Sequence, residues 1–509
     1  HPVNQGALCA RGQASLQTLY NPNRHAHPLA DGKQIPWEEG MQQFSAIIKA
    51  ASGAIAYLGK PASGSEGDFV DEWLQAAGGG QRFKFNLLTQ KSQIEANKIA
   101  FDHANVPEYA FEKAGVVFNF STDFLENWGN PVENARRFTD MHVYKNGRKN
   151  KFIHISPQVS LTGAKADRWI VINPGTEGLV ALAIASVIQK ENGTYKFLKK
   201  YLQAYSPEKV AEATGVSAET LSELAIDAME HGPLLALGGG NVSATDQSVE
   251  TLVGVNILNA VSGALNKTVL FSDQTTTESS THQDLTQLIS DLNGGKIKLL
   301  IVDDSNPVYA LPPSMGFLQA LKKTFVVSLA SQKSETTHTA NLVLPALTAY
   351  ESWGDAFPRN GVRSIQQPVM STVNMFDARA REDILLSVAQ NVNKKAFSEN
   401  SSYLDYLQNI WQKIQRKVGD RRKFDSFWIS VLENGGIFEK PKFIRASLNR
   451  RVASVKLNDP GMASSDGLTL FPTTSLLLGD GGGANKPWLQ EVPDPMSQIV
   501  WDSWMGINP

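Results

Sequence analysis

Cysteine is nearly absent from this sequence, because Cys9 is the only one in 509 residues. A single cysteine excludes an internal disulfide, and it excludes an iron–sulfur cluster or a thiolate zinc site built by this chain alone. Cys9 lies in the stretch GALCARG (6–12). The residues leave three interpretations open: a catalytic thiol, one ligand of a redox centre, or a small residue in a tight turn.

Long apolar runs and an excess of charge are also missing. The longest apolar candidates, such as LVALAIASVI (179–188), are too short to span a bilayer. The formal net charge is −2, so there is no basic field for nucleic acid, and we expect no nucleic-acid partner. A hydrophobic fraction of 42% and a charged fraction of 19% indicate a globular chain, long enough for more than one domain.

Short strand-like runs alternate with helical periods along most of the sequence. This alternation is typical of βαβ units with parallel sheets covered on both faces, and it predicts an α/β fold with at least two doubly wound units. The predicted strands are 54–59, 115–120, 151–156, 168–172, 233–241, 297–304 and 324–329, and the predicted helices include 68–77, 131–141, 176–191 and 315–323. Residues 206–231 are predicted to form a helical pair. Residues 395–435 are predicted to be helical and rich in Lys and Arg, which leaves open a solvated helix face or an anionic partner.

Four loops that follow predicted strands carry the candidate ligand-binding residues. They hold Ser121 and Asp123, the helix start at Gly175, Thr176 and Glu177, the glycine run at Gly239, and Asn306 with Pro307. In open α/β sheets, ligands bind beyond the carboxyl ends of the strands. Helix N-termini and glycines suit anionic or flat ligands, so together the loops favour a nucleotide-like pocket. Each loop by itself is equally compatible with helix capping, and neither a G-x-G-x-x-G nor a G-x-x-x-x-G-K-[ST] motif is present.

Taken in order, several longer segments resemble the molybdopterin oxidoreductase family. They are HPVNQGALCARGQASLQTLYNPNR (1–24), DFLENWGNPVENARRF (123–138), SLTGAKADRWIVINPGTEGLVALA (160–183), DDSNPVYALP (303–312), TANLVLPALTAYESWGD (339–355) and NKPWLQEVPDPMSQIVWDSWMGINP (485–509). The resemblance implies an N-terminal [4Fe–4S] domain, two doubly wound α/β domains around a bis-pterin guanine dinucleotide cofactor, and a closing C-terminal β-barrel-like domain.

This layout suggests a division of the chain. Residues 1–40 would be a remnant of the iron–sulfur domain, 41–87 with 311–400 the first α/β domain, 88–310 the second, and 401–509 a helical and loop-rich segment. We expect the sequence to begin just before the fourth cluster cysteine and to stop before the closing domain. The complete iron–sulfur and β-barrel-like domains would then be absent from it.

The resemblance also assigns roles residue by residue. Cys9 matches the fourth [4Fe–4S] ligand, with the other cysteines expected upstream, and Glu177 lies where the family has an aspartate that contacts a guanine. Asn306 and Pro307 match the loop near the other nucleotide, and Ser121 and Asp123 match the loop after the first strand of the pterin-binding domain. Gly175, Thr176 and Gly239 complete the pterin-nucleotide pocket.

One departure from the family concerns the metal. Catalytic members place a cysteine, selenocysteine, serine or aspartate on molybdenum, but FNLLTQKSQIEANKIAF (85–101) offers only Ser92. An ordinary serine at a helix start is the simpler explanation of Ser92. In lacking a metal ligand here, the sequence resembles the molybdoenzyme-like large subunit of alternative complex III and of quinone reductase complexes.

We therefore expect a subunit without molybdenum that acts as scaffold or electron relay in a membrane-bound, quinone-linked respiratory complex. Its partners would be iron–sulfur, haem and integral membrane subunits, with quinol reached indirectly, at the periplasmic face of the bacterial cytoplasmic membrane. The alternative is a catalytic bis-pterin molybdenum oxidoreductase of the polysulfide or thiosulfate reductase kind, which would bind molybdopterin guanine dinucleotide.

Overall fold

The computed structural model describes residues 1–145, 147, 149–274, 279–461, 469–502 and 504–506, without the side chains of 243 and 244. The strands, in chain order, are β1 Leu29–Ala30, β2 Lys33–Gln34, β3 Ile55–Gly59, β4 Gln81–Lys84, β5 Glu108–Tyr109, β6 Val116–Phe120, β7 Lys151–Ile155, β8 Arg168–Ile170, β9 Leu234–Gly238, β10 Val269–Ser272, β11 Leu299–Asp303, β12 Phe325–Ala330, β13 Leu342–Pro345, β14 Gly354–Arg359, β15 Val362–Gln366, β16 Gly436–Phe438 and β17 Phe443–Ile444.

The α-helices, in chain order, are α1 Ala10–Ala14, α2 Trp37–Ala51, α3 Ser65–Ala76, α4 Lys91–Phe101, α5 Pro131–His142, α6 Glu177–Asn192, α7 Lys199–Leu202, α8 Pro207–Thr214, α9 Ala218–Glu230, α10 Ser248–Val261, α11 His282–Asn293, α12 Pro307–Ala310, α13 Phe317–Leu321, α14 Glu335–Thr339, α15 Arg381–Val392, α16 Tyr403–Lys417, α17 Phe424–Asn434 and α18 Pro487–Glu491. Helices α8 and α9 form the predicted pair, and the Ser217 side chain caps α9 by accepting from the Thr220 amide at 3.2 Å. Within the described ranges, no helix combines the length and the apolar character needed to cross a membrane.

The first of two large sheets has seven strands in the order β2-β1-β13-β12-β11-β3-β4. Strands β4, β3, β11, β12 and β13 are parallel, and β1 joins the β13 edge in the antiparallel sense. Successive residues of β11 enter opposite layers, since Leu299 and Ile301 pack into one hydrophobic cluster and Leu300 and Val302 into another. A strand that is apolar on both faces needs a layer of helices on each side, as the alternating sequence pattern predicted.

The second large sheet has four strands, in the order β8-β7-β6-β9, and every pairing in it is parallel. Its core includes helices α6 and α10, whose close packing needs small residues. A Cβ added to Gly254 of α10 would lie 3.2 Å from the Gly178 carbonyl oxygen of α6. Two doubly wound parallel sheets confirm the predicted α/β class.

The strand pairing differs from the predicted division of the chain. Strand β11 falls in the range predicted for the second domain, 88–310, yet it pairs with β3 and β12 of the first sheet. Likewise β1 and β2 lie in the predicted remnant 1–40 but join the first sheet, and α16, beyond residue 400, packs against the same core. The prediction differs from the structure because nothing in the local sequence of an apolar strand indicates which of the two parallel sheets it will join.

A buried ion pair ties the N-terminal segment to the first sheet unit. The Arg24 guanidinium donates to the Glu351 carboxylate at 2.8 Å, with both side chains fully buried. Burial alone would raise the pKa of Glu351, but hydrogen bonds from the backbone of Thr348 and Val373 and from Arg24 hold it below its ordinary value. The group therefore stabilises the fold above its unfolded pKa and loses that contribution as the pH falls.

Replacing this carboxylate tests the pair. We expect Glu351→Gln to lower the free energy of unfolding by about 3–5 kcal/mol, because the Arg24 charge is left buried without a counter-ion. Glu223→Gln is the matched control, since its exposed pair with Arg168 contributes at most about 1 kcal/mol. Thermal and urea unfolding of both variants measures the difference, and equal losses would contradict the assignment.

Candidate functional site

The carboxyl ends of both large sheets open onto one cleft of about 880 Å³. Residues 86–91, which follow β4, line one wall, and the loop after β6 contributes Asp123, Asn127 and Trp128 to the other. Gly240 and Asn241, which follow β9, complete the lining together with Ser92 and Thr474. Loops at carboxyl ends of parallel strands are where this fold class binds ligands, so the cleft is the candidate site.

Asp123 is the acidic group at the wall of the cleft. Its carboxylate accepts from the Asn241 side chain at 2.7 Å, and it is 8% exposed. Burial raises the pKa of Asp123 to about 6, and the neighbouring Glu126 carboxylate adds to this, against hydrogen bonds from Ser160 and Asn241. A carboxyl group that titrates near neutral pH can accept or release a proton.

The sequence placed Ser121 and Glu177 in separate loops, but in the structure their side chains are in contact, just beyond the carboxyl end of β6. The Ser121 hydroxyl donates to Glu177 Oε1 at 2.7 Å, and Ser121 holds a left-handed backbone with φ of +49°. Glu177 is fully buried at the start of α6, where burial raises its pKa. Its second oxygen, Oε2, has no hydrogen-bond partner among the described residues, so it could accept from a donor group that approaches it.

A segment from the C-terminal part of the chain, residues 455–461, lies over the start of α6. Leu457 is held by its backbone N–H and carbonyl oxygen, which both bond with the Tyr205 hydroxyl, at 3.1 and 3.3 Å. The Asn458 backbone N–H donates to the Gln247 side-chain oxygen at 2.9 Å, and the Asn458 carbonyl oxygen accepts from the Gln247 side-chain nitrogen at 3.0 Å. A Cβ added to Gly178 would lie 2.5 Å from the Leu457 side chain. The segment therefore covers the helix start that the sequence predicted as a nucleotide position.

The glycine run after β9 approaches a side chain of the same chain. Gly239 has φ of +147°, and a Cβ there would overlap the indole nitrogen of Trp128. Trp128 is 7% exposed and its ring lies 5.3 Å from that of Tyr109. The space beside Gly239 is thus filled by the indole of Trp128. The sequence pattern did not reveal that the glycine makes room for this side chain.

Asn306 and Pro307 lie at the carboxyl end of β11, beside a second cavity of about 490 Å³ that includes Asn306. The Asn306 amide nitrogen donates to Glu335 at 2.6 Å, and its carbonyl oxygen accepts from the Thr336 hydroxyl at 2.8 Å. Pro307 is buried at the first position of α12. The side-chain amide of Asn306 is therefore engaged in holding α14 against the loop.

A charged cluster at the carboxyl end of the first sheet was not found from the sequence. Arg381 pairs with Glu382 at 2.8 Å, with Glu66 at 3.1 Å and with Asp303 at 3.4 Å. Burial raises the pKa of Glu66 to about 7, although Arg381 opposes the shift. The paired aspartates at 303–304, directly after an apolar strand, were the one available signal, because Arg381 and Glu66 come from distant helices.

This cluster borders a third cavity, of about 430 Å³, between the first sheet and the segment 346–355. It shares Lys60, Asp304 and Ser331 with the 490 Å³ cavity. The Lys60 ammonium lies 3.2 Å from the Asp304 carboxylate, which raises the pKa of the lysine. An extended polar ligand could lie across both cavities.

The two candidate metal ligands are placed apart from any acidic or imidazole cluster. Ser92, in the first turn of α4, lines the 880 Å³ cleft and its hydroxyl lies 3.0 Å from that of Ser248. Cys9 is exposed and precedes α1, where its carbonyl oxygen accepts from the Gln13 amide at 3.0 Å. Across the described ranges, no group of three or more His, Cys, Asp or Glu side chains is arranged to hold a metal ion.

The raised pKa of Asp123 predicts a pH dependence of stability. The folded value of about 6 lies above the unfolded value of about 3.9, so the wild type loses about 3 kcal/mol of stability as the pH rises between the two values. Asp123→Asn removes this loss, and we expect the variant to be the more stable protein at pH 8 but not at pH 4. Unfolding curves across this range measure it, with the exposed Asp140→Asn as control. An unchanged profile would contradict the buried assignment.

Comparison with known proteins gives one family and several distant relatives. The chain is 28% identical over 421 residues to the menaquinone reductase, molybdopterin-binding-like subunit of Nitratidesulfovibrio vulgaris, covering 76% of this chain and 60% of that protein. It is 23% identical to the F420-dependent formate dehydrogenase subunit alpha of Methanocaldococcus jannaschii, covering 98% of this chain and 83% of that one.

The fold is similar to that of acetylene hydratase from Pelobacter acetylenicus, with a TM-score of 0.62 and 14% sequence identity. The likeness covers 77% of this chain and 64% of the hydratase. The chain therefore spans about two thirds or less of the hydratase and of the menaquinone reductase subunit. The model of the molybdopterin oxidoreductase family matches residues 48–391. Because that match covers more than half of the 509 residues, the chain belongs to the molybdopterin oxidoreductase family.

Proposed function

We propose that this chain is the molybdoenzyme-like subunit of a membrane-bound, quinone-linked electron-transfer complex, and that it serves as scaffold or relay without molybdenum. The observation that carries the proposal is the indole of Trp128 against the glycine run at Gly239. A side chain in that position occupies the space beside Gly239 that a flat ligand would use. The name of the Nitratidesulfovibrio relative, a molybdopterin-binding-like subunit of a menaquinone reductase, agrees with such a role.

The residues of the second sheet do not fit a pterin guanine dinucleotide in their present arrangement. The unpartnered oxygen of Glu177 suits a donor group on a guanine, but Glu177 is fully buried and the segment 455–461 lies over its helix. The first sheet keeps two open cavities that share Lys60 and Asp304. The burial of Glu177 and the cover over α6 argue against a dinucleotide bound at this helix start, and we derive no chemical step through the cofactor.

The region expected to supply a molybdenum ligand supports the same conclusion. Residues 86–91 line the cleft with Asn, Leu, Leu, Thr, Gln and Lys side chains. Ser92, the one conventional ligand type in this region, hydrogen bonds with Ser248 instead. Neutral amide and aliphatic side chains are poorer metal ligands than thiolate or carboxylate groups, and Glu95 of α4 is the carboxylate of this region that lines the cleft.

An active bis-pterin molybdenum oxidoreductase is the second candidate function. It is favoured by the size of the cleft, about 880 Å³, and by Asp123 at its wall with a pKa near 6. Pockets of about 300–1,000 Å³ commonly hold a substrate or cofactor. In this alternative, Asp123 would exchange protons with a substrate.

The finer parts of the proposal concern the assembly. We place the chain in a complex like alternative complex III, with iron–sulfur, haem and integral membrane subunits, at the periplasmic face of the membrane. Quinol would be oxidised by another subunit of that complex. Cys9 would be the fourth ligand of a [4Fe–4S] cluster whose other cysteines precede His1, and Arg11 would stabilise added electron density by charge.

Metal analysis of the isolated complex decides between the two functions. We expect no stoichiometric molybdenum or tungsten in complex purified from cells grown with molybdate or with tungstate. Supplying each metal in turn controls for a shortage in the medium. One atom of either metal per chain would overturn the proposal and establish the second candidate.

Iron content and spectroscopy test the cluster at Cys9 separately. We expect Cys9→Ser to remove one iron–sulfur signal from the EPR and visible spectra of the complex, since a hydroxyl is a weaker ligand for iron than a thiolate. Leu8→Ser is the matched control, because Leu8 is an exposed neighbour that keeps the thiol. If iron content and spectra match the wild type, the ligand assignment fails.

A further inference from the structure

The strongest concentration of positive charge lies at the end of α16 and in the loop that follows it. We call residues 413–423 the basic segment, and its cationic side chains are Lys413, Arg416, Lys417, Arg421, Arg422 and Lys423. All six residues are exposed. With Asp420 the segment has a formal charge of +5, and the rest of the chain has −7, because the whole chain has −2.

The basic segment is held in a fixed shape on the surface. The buried Gln415 donates from its side chain to the Arg422 carbonyl oxygen at 2.8 Å, and its own carbonyl oxygen accepts from the Asp420 amide at 3.1 Å. Trp411 and Ile414, on the opposite face of α16, are buried in the core. Of the six cations, Arg422 has a carboxylate partner, Asp420, at 2.6 Å. The remaining positive charges are thus presented together to solvent.

We propose that the basic segment binds an anionic phospholipid surface. Clusters of four to eight Lys and Arg residues attract anionic membranes, and each contributes roughly equally. None of the three cavities described above involves a residue of the segment. A flat, diffuse anionic surface fits long exposed side chains better than a shaped protein epitope does. Ile429, 55% exposed on the next helix, supplies an apolar side chain that can enter the lipid interface.

The inference is independent of the proposed electron-transfer role, because lipid binding needs no cofactor and no other subunit. It would orient the chain with the carboxyl end of α16 toward the membrane. No helix of the described chain is suited to cross a bilayer, so this contact would be peripheral. Attraction of this kind weakens as salt shortens the Debye length, from about 10 Å at 0.1 M to about 3 Å at 1 M.

Vesicle co-sedimentation of the purified 509-residue chain tests the proposal. We expect binding to phosphatidylcholine vesicles that contain about one third phosphatidylglycerol, no binding to phosphatidylcholine alone, and release by 1 M salt. Equal binding to both vesicles, or no binding to either, would overturn it. If the purified chain does not bind vesicles and the basic segment cross-links to an acidic face of another subunit of the complex, the proposal is also overturned.

A matched pair of variants locates the binding surface. Lys417→Gln with Arg421→Gln and Lys423→Gln removes three charges from the segment, and we expect the partition coefficient to fall about 100-fold. The control removes three charges from exposed positions far apart in the sequence, by Lys49→Gln, Lys190→Gln and Lys267→Gln. Both variants have the same net charge, so equal losses would show a general charge effect and overturn the assignment. Circular dichroism checks folding, and the wild-type dependence on lipid and salt stands without the variants.

Discussion

The pairing of β11 between β3 and β12 is the constraint on which the rest of the structure depends. These strands are parallel and lie side by side, yet β3 ends at Gly59 and β11 begins at Leu299. The chain between them must leave the first sheet, build the second one, and return. Because strands β3, β6, β9 and β11 are buried on both faces, the loops at their carboxyl ends are the part of each sheet left to form a site, and the cleft arises where they meet.

The cleft is shaped as much by what the chain places in it as by the sheets around it. Trp128 packs on the glycine run after β9, and Leu457 lies over the start of α6. Both residues belong to the hydrophobic core of the second sheet. They fill the space beside Gly239 and Gly178 with side chains of the same chain, although the loops after β6 and β9 still line the 880 Å³ cleft. The filling of these two positions is the physical basis for preferring a scaffold or relay over a two-pterin catalyst.

Buried charges divide the molecule in a similar way. Arg24 and Glu351 compensate one another and are further satisfied by backbone hydrogen bonds, so their burial is structural. Glu177 has one oxygen bonded to Ser121 and one with no partner in the described chain. A half-satisfied buried carboxyl group is costly. Around Arg381, three carboxylates share one guanidinium, and burial raises the pKa of Glu66 to about 7.

The sequence by itself determined the α/β class and the bounds of the seven predicted strands to within a few residues, because apolar runs and helical periods are local patterns. The family followed from the resemblance of longer segments. The sequence also identified Ser121, Asp123 and Glu177 as loop residues after strands. It did not determine that Ser121 meets Glu177, that Trp128 occupies the glycine run, or that β11 returns to the first sheet. Only the tertiary structure decided these points, because each depends on contacts between residues far apart in the chain. The same reason hid Arg381 and Glu66, which form one charged cluster only after α15 and α3 pack around the first sheet.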